Sequence, residues 1–218
     1  MKPYSLLIGI SFLVSLGGYA QEMNYALYAG ASLTSLQSNM IAAIPKKGAL
    51  AGFAAEKTLA ESVALSIGFQ FSHSGFQEPQ QHSNGSELGI VTYNQYSLYY
   101  VQMPLLIRNP FAVNDKIDFY PIYGLNNAWL LQAKKLSENP QESEVIKEKL
   151  AGNDFYRYEL VILAGLGMDW KLENSKQLFL QVRASQAISN WFGNRFISTK
   201  SDAYNRNVSL QMIAGIRF

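Results

Sequence analysis

The sequence predicts an all-β protein, an eight-stranded antiparallel up-and-down transmembrane β-barrel that takes up nearly all of the 218 residues. Three observations carry the prediction. Apolar residues recur at every second position in one segment after another, the connections between those segments alternate in length, and the composition is rich in aromatics but poor in charge. The chain holds 13 Tyr, 12 Phe and 3 Trp, yet only 16% of it is charged, against about 25% in ordinary globular domains. A hydrophobic content of 48% with a net charge of +2 excludes a disordered chain and leaves no basic footprint for nucleic acid. With no cysteine, disulfide scaffolds, thiolate metal centres, cysteine nucleophiles and a lipid-modified cysteine are all excluded.

The first segment is an address. Lys2 supplies a positive start, residues 6–16 (LLIGISFLVSL) an apolar core, and Gly18-Tyr19-Ala20 a small-x-small site before Gln21, the pattern of a cleaved secretory signal peptide. The apolar run is shorter than the ~18–20 residues a spanning helix requires. The expected organisation is a cleaved signal peptide over 1–20 and an outer-membrane barrel domain over 21–218.

The strands then follow in order. Weaker alternation covers 25–36 and 48–56. In the third strand Val63, Leu65, Ile67, Phe69 and Phe71 oppose Ala64, Ser66, Gly68, Gln70 and Ser72. Strands four and five span 97–108 and 118–134. The sixth is the clearest, with Tyr156, Tyr158, Leu160, Ile162, Ala164, Leu166, Met168, Trp170 and Leu172 on one side and Arg157, Glu159, Val161, Leu163, Gly165, Gly167, Asp169 and Lys171 on the other. Strand seven sets Leu178, Leu180, Val182 and Ala184 against Phe179, Gln181, Arg183 and Ser185, and the last sets Val208, Leu210, Met212 and Ala214 against Ser209, Gln211, Ile213 and Gly215. A helix cannot hold such sets on one side. The connections read 37–47, 57–62, 74–96, 109–117, 135–154, 173–175 and 188–206, with the long ones on one end. A small OmpA/OmpX-like outer-membrane barrel has this arrangement, with external loops longer than the turns and both termini periplasmic.

Alternation alone permits a soluble, lipocalin-like barrel with an apolar interior. Three features argue for the membrane form. Glycines (Gly30, Gly52, Gly68, Gly124, Gly165, Gly167, Gly215) crowd the polar face, which suits a narrow lumen better than an exposed surface. Tyr158 and Trp170 are twelve residues apart on the apolar face, roughly 30 Å vertically at ~3.3 Å per residue and ~40° tilt, close to the spacing of aromatic girdles. The chain ends on an aromatic, Phe218.

Taken together, Tyr28-Ala29-Gly30-Ala31-Ser32-Leu33, residues 48–57 (GALAGFAAEK), residues 101–108 (VQMPLLIR), residues 163–170 (LAGLGMDW) and Ala214-Gly215-Ile216-Arg217-Phe218 resemble the PorT-like outer-membrane β-barrel family typical of Bacteroidota. The resemblance implies the fold and an outer-membrane address. It implies recognition of Phe218 by the barrel-assembly machinery, and in one branch a link to type IX secretion. The chain departs from the family at Gln102, where a glutamate often stands, so no fixed interior acid is expected there.

The inward face offers a lumenal polar network of Glu56, Arg108, Arg157, Glu159, Asp169, Lys171, Arg183 and Arg217. Buried charges of both signs must be paired, and Arg183 and Arg217 are expected to meet Glu159 and Asp169. An eight-stranded lumen is just filled by side chains, so no open diffusion pore is expected, a narrow channel being the alternative. A lipid-modifying enzyme would need a histidine beside a nucleophile or carboxylate. His73 and Ser74 are adjacent in a strand and point to opposite faces, while His82 lies in a polar loop. Catalysis, cofactors and metals are therefore not expected. Asn139-Pro140 followed by 141–150 and Gly152 reads as a capped short helix in the third external loop. The expected partners are outer-membrane lipid, the assembly machinery, and a protein met through the loops 135–154 and 188–206, where Trp191, Phe192, Arg195, Phe196 and Tyr204 form an aromatic and arginine mixture. The expected role is structural, secretion-accessory or surface-interacting.

The address is directly testable. N-terminal sequencing of the mature protein is expected to start at Gln21, and the protein should stay in the outer-membrane fraction through carbonate washing. Recovery in the soluble periplasmic fraction would return the lipocalin-like alternative.

Overall fold

A computed structural model describes residues 23–38, 42–60, 62–82, 90–139, 144–149, 157–172, 176–189 and 205–218. The expected signal peptide over 1–20, the Gln21 start and most of the loop 188–206 lie outside the described residues.

Ten strands are present among the described residues: β1 (Met23–Ser38), β2 (Ile44–Ala60), β3 (Val63–His82), β4 (Ile90–Arg108), β5 (Phe111–Asn114), β6 (Ile117–Asn139), β7 (Glu144–Lys149), β8 (Tyr158–Lys171), β9 (Gln177–Ala187) and β10 (Asn205–Arg217). Eight of them, β1, β2, β3, β4, β6, β8, β9 and β10, pair antiparallel with their neighbours, and β10 pairs with β1, so the sheet closes. At the seam Tyr25 N donates to Phe218 O at 2.8 Å and Phe218 N to Tyr25 O at 2.9 Å. The eight-stranded antiparallel barrel is the fold the alternation predicts.

The closure is staggered. From Tyr28 one row of partners runs through Gly215, Phe179 and Asp169 to Asp118. In the other direction it runs through Gly52, Gln70 and Gln102 to Ala128. The row leaves β6 at Asp118 and returns at Ala128, a stagger of ten residues, which with eight strands tilts them about 40°. The stagger also explains β5. The final partner of β4 is Arg108, opposite Ile122, so the start of β6 has no barrel neighbour on that side. The connection 109–117 folds back to fill the gap, pairing Phe111 with Phe119 and Ala112 with Asp118. Its turn is held by Lys116 N donating to Asn114 Oδ1 at 2.9 Å.

At the opposite end the ladders outrun the hydrophobic pattern. The connections expected over 74–96 and 135–154 are largely strand, because β3 continues to His82, β4 begins at Ile90 and β6 reaches Asn139. Period-2 hydrophobicity marks a strand only where one side meets lipid, so the pattern ends before the hydrogen bonding does. The helix expected over 141–150 is not formed in the described part: residues 144–149 are β7, which pairs with β6 from Lys134–Lys149 to Asn139–Glu144. Here β6 has risen past the first residue of β8, Tyr158, which pairs with Trp129. Its open edge offers unpaired backbone groups, and a ladder onto them displaces a short isolated helix.

Burial separates the two faces. Glu159, Val161, Leu163, Gly167 and Asp169 of β8 are buried, while Tyr158, Ile162, Leu166 and Trp170 are exposed. Glycine on the inward face makes room for aromatics, since a Cβ on Gly167 would stand 2.3 Å from Tyr120 Cε2. The outward set is therefore the lipid surface. Ile162→Arg is expected to destabilise the barrel by about 2–4 kcal/mol if it lies near the midplane, and less towards an interface. Urea unfolding in bilayers measures this, and a neutral result would reverse the assignment of faces.

Candidate functional site: a crossed ion-pair cluster in the lumen

Four charged side chains meet inside the barrel near the end that carries the termini. They come from the C-terminal ends of four strands: Glu56 of β2, Arg108 of β4, Asp169 of β8 and Arg217 of β10. Each lies on the inward set of its strand, and the antiparallel order brings the ends of these alternate strands to one level. Arg108 Nη2 lies 2.6 Å from Glu56 Oε2 and Arg108 Nη1 lies 3.1 Å from Asp169 Oδ2. Arg217 Nε is 2.6 Å from Glu56 Oε2 and Arg217 Nη1 is 2.7 Å from Asp169 Oδ2. Each arginine thus joins both carboxylates, and the cluster is neutral. All four residues are at most 5% exposed. Rings cover the cations, with Arg108 Cζ 4.8 Å from the Tyr120 centroid and Arg217 Cζ 5.1 Å from that of Phe179. Gln177 Oε1 accepts from Arg217 Nη1 at 2.7 Å.

Above this cluster the next charge in the lumen is Arg183. That guanidinium donates from Nε and Nη2 to Gln181 Oε1, and its Cζ stands 5.9 Å from the Tyr28 ring centroid. Gln181 Nε2 donates to Tyr120 OH at 2.9 Å. On the facing wall Tyr28 OH donates to Gln70 Oε1 at 3.1 Å, and Gln102 Oε1 accepts from Asn126 Nδ2 at 3.1 Å and from Gln70 Nε2. The space left among Tyr28, Glu56, Ser66, Gln181 and Arg183 is about 10 Å³, room for roughly one water. Higher still, Glu159 Oε1 accepts from Tyr100 OH at 2.7 Å and from Asn207 Nδ2 at 2.8 Å. Leu36, Phe76, Leu98, Tyr100, Ala128 and Ala133 form a buried apolar cluster at this end.

The eight residues expected in one network therefore fall into separate groups. Glu56, Arg108, Asp169 and Arg217 come together. Arg183 and Glu159 are buried on the same face but touch neither one another nor that cluster through any ion pair: Gly165, not Glu159, is the β8 partner of Arg183, and six residues of strand separate the two levels. Lys171 is at the rim, its Nζ 2.9 Å from Asp118 Oδ1 and its side chain 39% exposed. Arg157 is exposed at a bend just before β8. The neutral members, Tyr28, Gln70, Tyr100, Tyr120, Gln177, Gln181 and Asn207, do not figure in the network expected from charge. They occupy the same alternate positions as the charged residues, and that shared parity is the signal that could have found them. His73 stacks on Tyr99 at 4.8 Å between centroids, on the outward side, with Lys134 Nζ 5.5 Å from the same ring. The side chain of His82 lies outside the described residues. Phe218 is at the closing seam, half exposed.

A family model described as outer membrane protein beta-barrel domain matches residues 19–193. The chain belongs to that family. Family membership and the closed barrel together point to the outer membrane as its location. No curated protein matches the chain. Among solved structures it is similar to Neisserial surface protein A (11% identity, TM-score 0.45, covering 88% of this chain and 95% of that one). It is similar also to the outer membrane protein OprG of Pseudomonas aeruginosa (11%, 0.46, 92% and 96%) and to the outer membrane protease OmpT of Escherichia coli (6%, 0.47, 90% and 96%).

For this member of the family, the cluster makes a specific energetic demand. Removing one partner from a buried ion pair leaves the other charge without compensation, at about 3–5 kcal/mol. Arg217→Met is expected to lose that much in urea unfolding, and adding Asp169→Asn should recover part of it, a double-mutant coupling of at least ~1 kcal/mol. Arg183→Ala, which strands only an amide, should cost less than Arg217→Met. Equal losses would mean that the cluster is no more than ordinary packing.

Proposed function

We propose that the protein is a closed, non-conducting outer-membrane barrel whose task is to hold a surface outside the membrane, as a structural or secretion-accessory element. The single observation that carries this is the lumen: two arginines and two carboxylates crossed between four strands, with layers of hydrogen-bonded amides, tyrosines and apolar side chains above. A pore would need a continuous wetted path, and a site of about 10 Å³ does not supply one. Support for a surface role comes from the ladder of β3, β4, β6 and β7, which continues past the first residue of β8 and gives the external connections, 135–154 among them, a rigid base. In this reading both termini are periplasmic, the loops 135–154 and 188–206 meet a protein partner, and Phe218 guides assembly. The PorT-like resemblance supports an accessory role in type IX secretion. No catalysis is assigned, since His73 is stacked against Tyr99 rather than set beside a nucleophile.

Planar-bilayer recording tests the reading. The wild-type protein is expected to give no channel steps, and the variant Glu56→Ala/Asp169→Ala, if it folds, to give flickering conductance as the unpaired arginines admit water. Steady conductance by the wild type would overturn the proposal in favour of a narrow channel. A change in lipid A in cells that express the protein, lost in His73→Ala, would instead favour the enzyme.

A further inference from the structure

The lipid face is not uniform. On β3, β4 and β6 it carries large side chains such as Phe69, Phe71, Met103, Leu105, Tyr123 and Leu125. Towards β1, β2 and β10 it becomes shallow, because Ala51 pairs with Ala29 and Ala29 with Ala214. These three alanines floor an open apolar groove of about 860 Å³, walled by Leu27, Leu178 and Trp170. One long side is bounded by a ridge of partners, Met212, Val182 and Leu166, which stand 57%, 45% and 68% exposed. Because rows of partners lie perpendicular to strands tilted about 40°, the groove runs obliquely. It descends from β2 towards β8 and β9 at the end that carries the termini. Its lower end opens beside Trp170 and, two residues before Leu178, the exposed Lys176.

We infer that this groove holds one acyl chain of an anionic glycerophospholipid in the leaflet at the termini end, with the phosphate at Lys176. The shape fits a thin, flexible chain. The charge at the mouth complements a phosphate at the depth where a headgroup lies, beside an interfacial tryptophan. A second copy of the protein fits less well. Two such faces related by a two-fold axis along the membrane normal would cross their oblique ridges steeply, touching at a point and leaving both grooves unfilled.

The test uses full-length protein carrying Trp129→Phe and Trp191→Phe, so that Trp170 is the one tryptophan of three left. It is folded into phosphatidylcholine vesicles that contain increasing fractions of brominated-acyl phosphatidylglycerol or brominated-acyl phosphatidylcholine. Half-quenching of Trp170 is expected at a mole fraction about five-fold lower for the phosphatidylglycerol, the scale of one lysine beside an anionic headgroup. Lys176→Glu, on an exposed residue, should abolish that difference. Ala214→Phe, checked for folding by heat-modifiable mobility, should weaken quenching by both lipids. Identical curves for the two lipids in the parent protein would overturn the inference, as would a difference that survives Lys176→Glu. Weak quenching by both, with disulfide-linked dimers formed by Ala29→Cys, would assign the groove to a second copy instead.

Discussion

Every backbone N–H and C=O that crosses hydrocarbon must find its partner within the protein, and in this chain the ladder between β1 and β10 is what meets that requirement. It joins the first and last described strands, from Ala26–Arg217 to Ser38–Asn205, so that neither presents an edge to lipid. The other dimensions follow from how the ladder closes. Eight strands with a stagger of ten fix the tilt, the tilt sets the lumen width, and that width requires glycine at positions such as Gly167 and Gly215, where a Cβ would run into Tyr120 or Phe179.

The narrow lumen in turn dictates what charge can do there. A lone arginine in such a space would bear most of its desolvation penalty, and an arginine bridged to two carboxylates much less. Arg108 and Arg217 satisfy this by sharing Glu56 and Asp169, which ties β2, β4, β8 and β10 together across the interior. Arg183 is handled differently, with an amide and a tyrosine face in place of a carboxylate. Glu159 has two neutral donors. The two residues each meet their partners at their own level, and the lumen is a stack of separate layers rather than one continuous network.

Outside the membrane the constraints change. Water can cap an open edge, so β3, β4 and β6 run on without a barrel to complete, and β7 adds to β6 as a local ladder. The stretches 74–82 and 90–96 are rich in Gln, Ser, Asn, His and Glu and hold few apolar residues at every second position, so the alternation that betrays a strand is lost there. This is why 74–82 and 90–96 read as loop, and why 141–150, with proline, helix formers and a glycine stop, reads as helix. Local propensity favoured the helix, and the unpaired edge of β6 decided otherwise.

The sequence by itself determined which residues face lipid and which face inward, because a period of two leaves each side chain one choice once one face must be apolar. It determined the number of membrane strands and the order of their connections for the same reason. What it could not contain is the stagger. The relative height of two inward residues on different strands depends on the register of every ladder between them, and no local pattern encodes that sum. Only the closed structure decided that Arg217 meets Glu56, 161 residues away, while Arg183 and Glu159, on adjacent strands and the same face, remain six residues of strand apart.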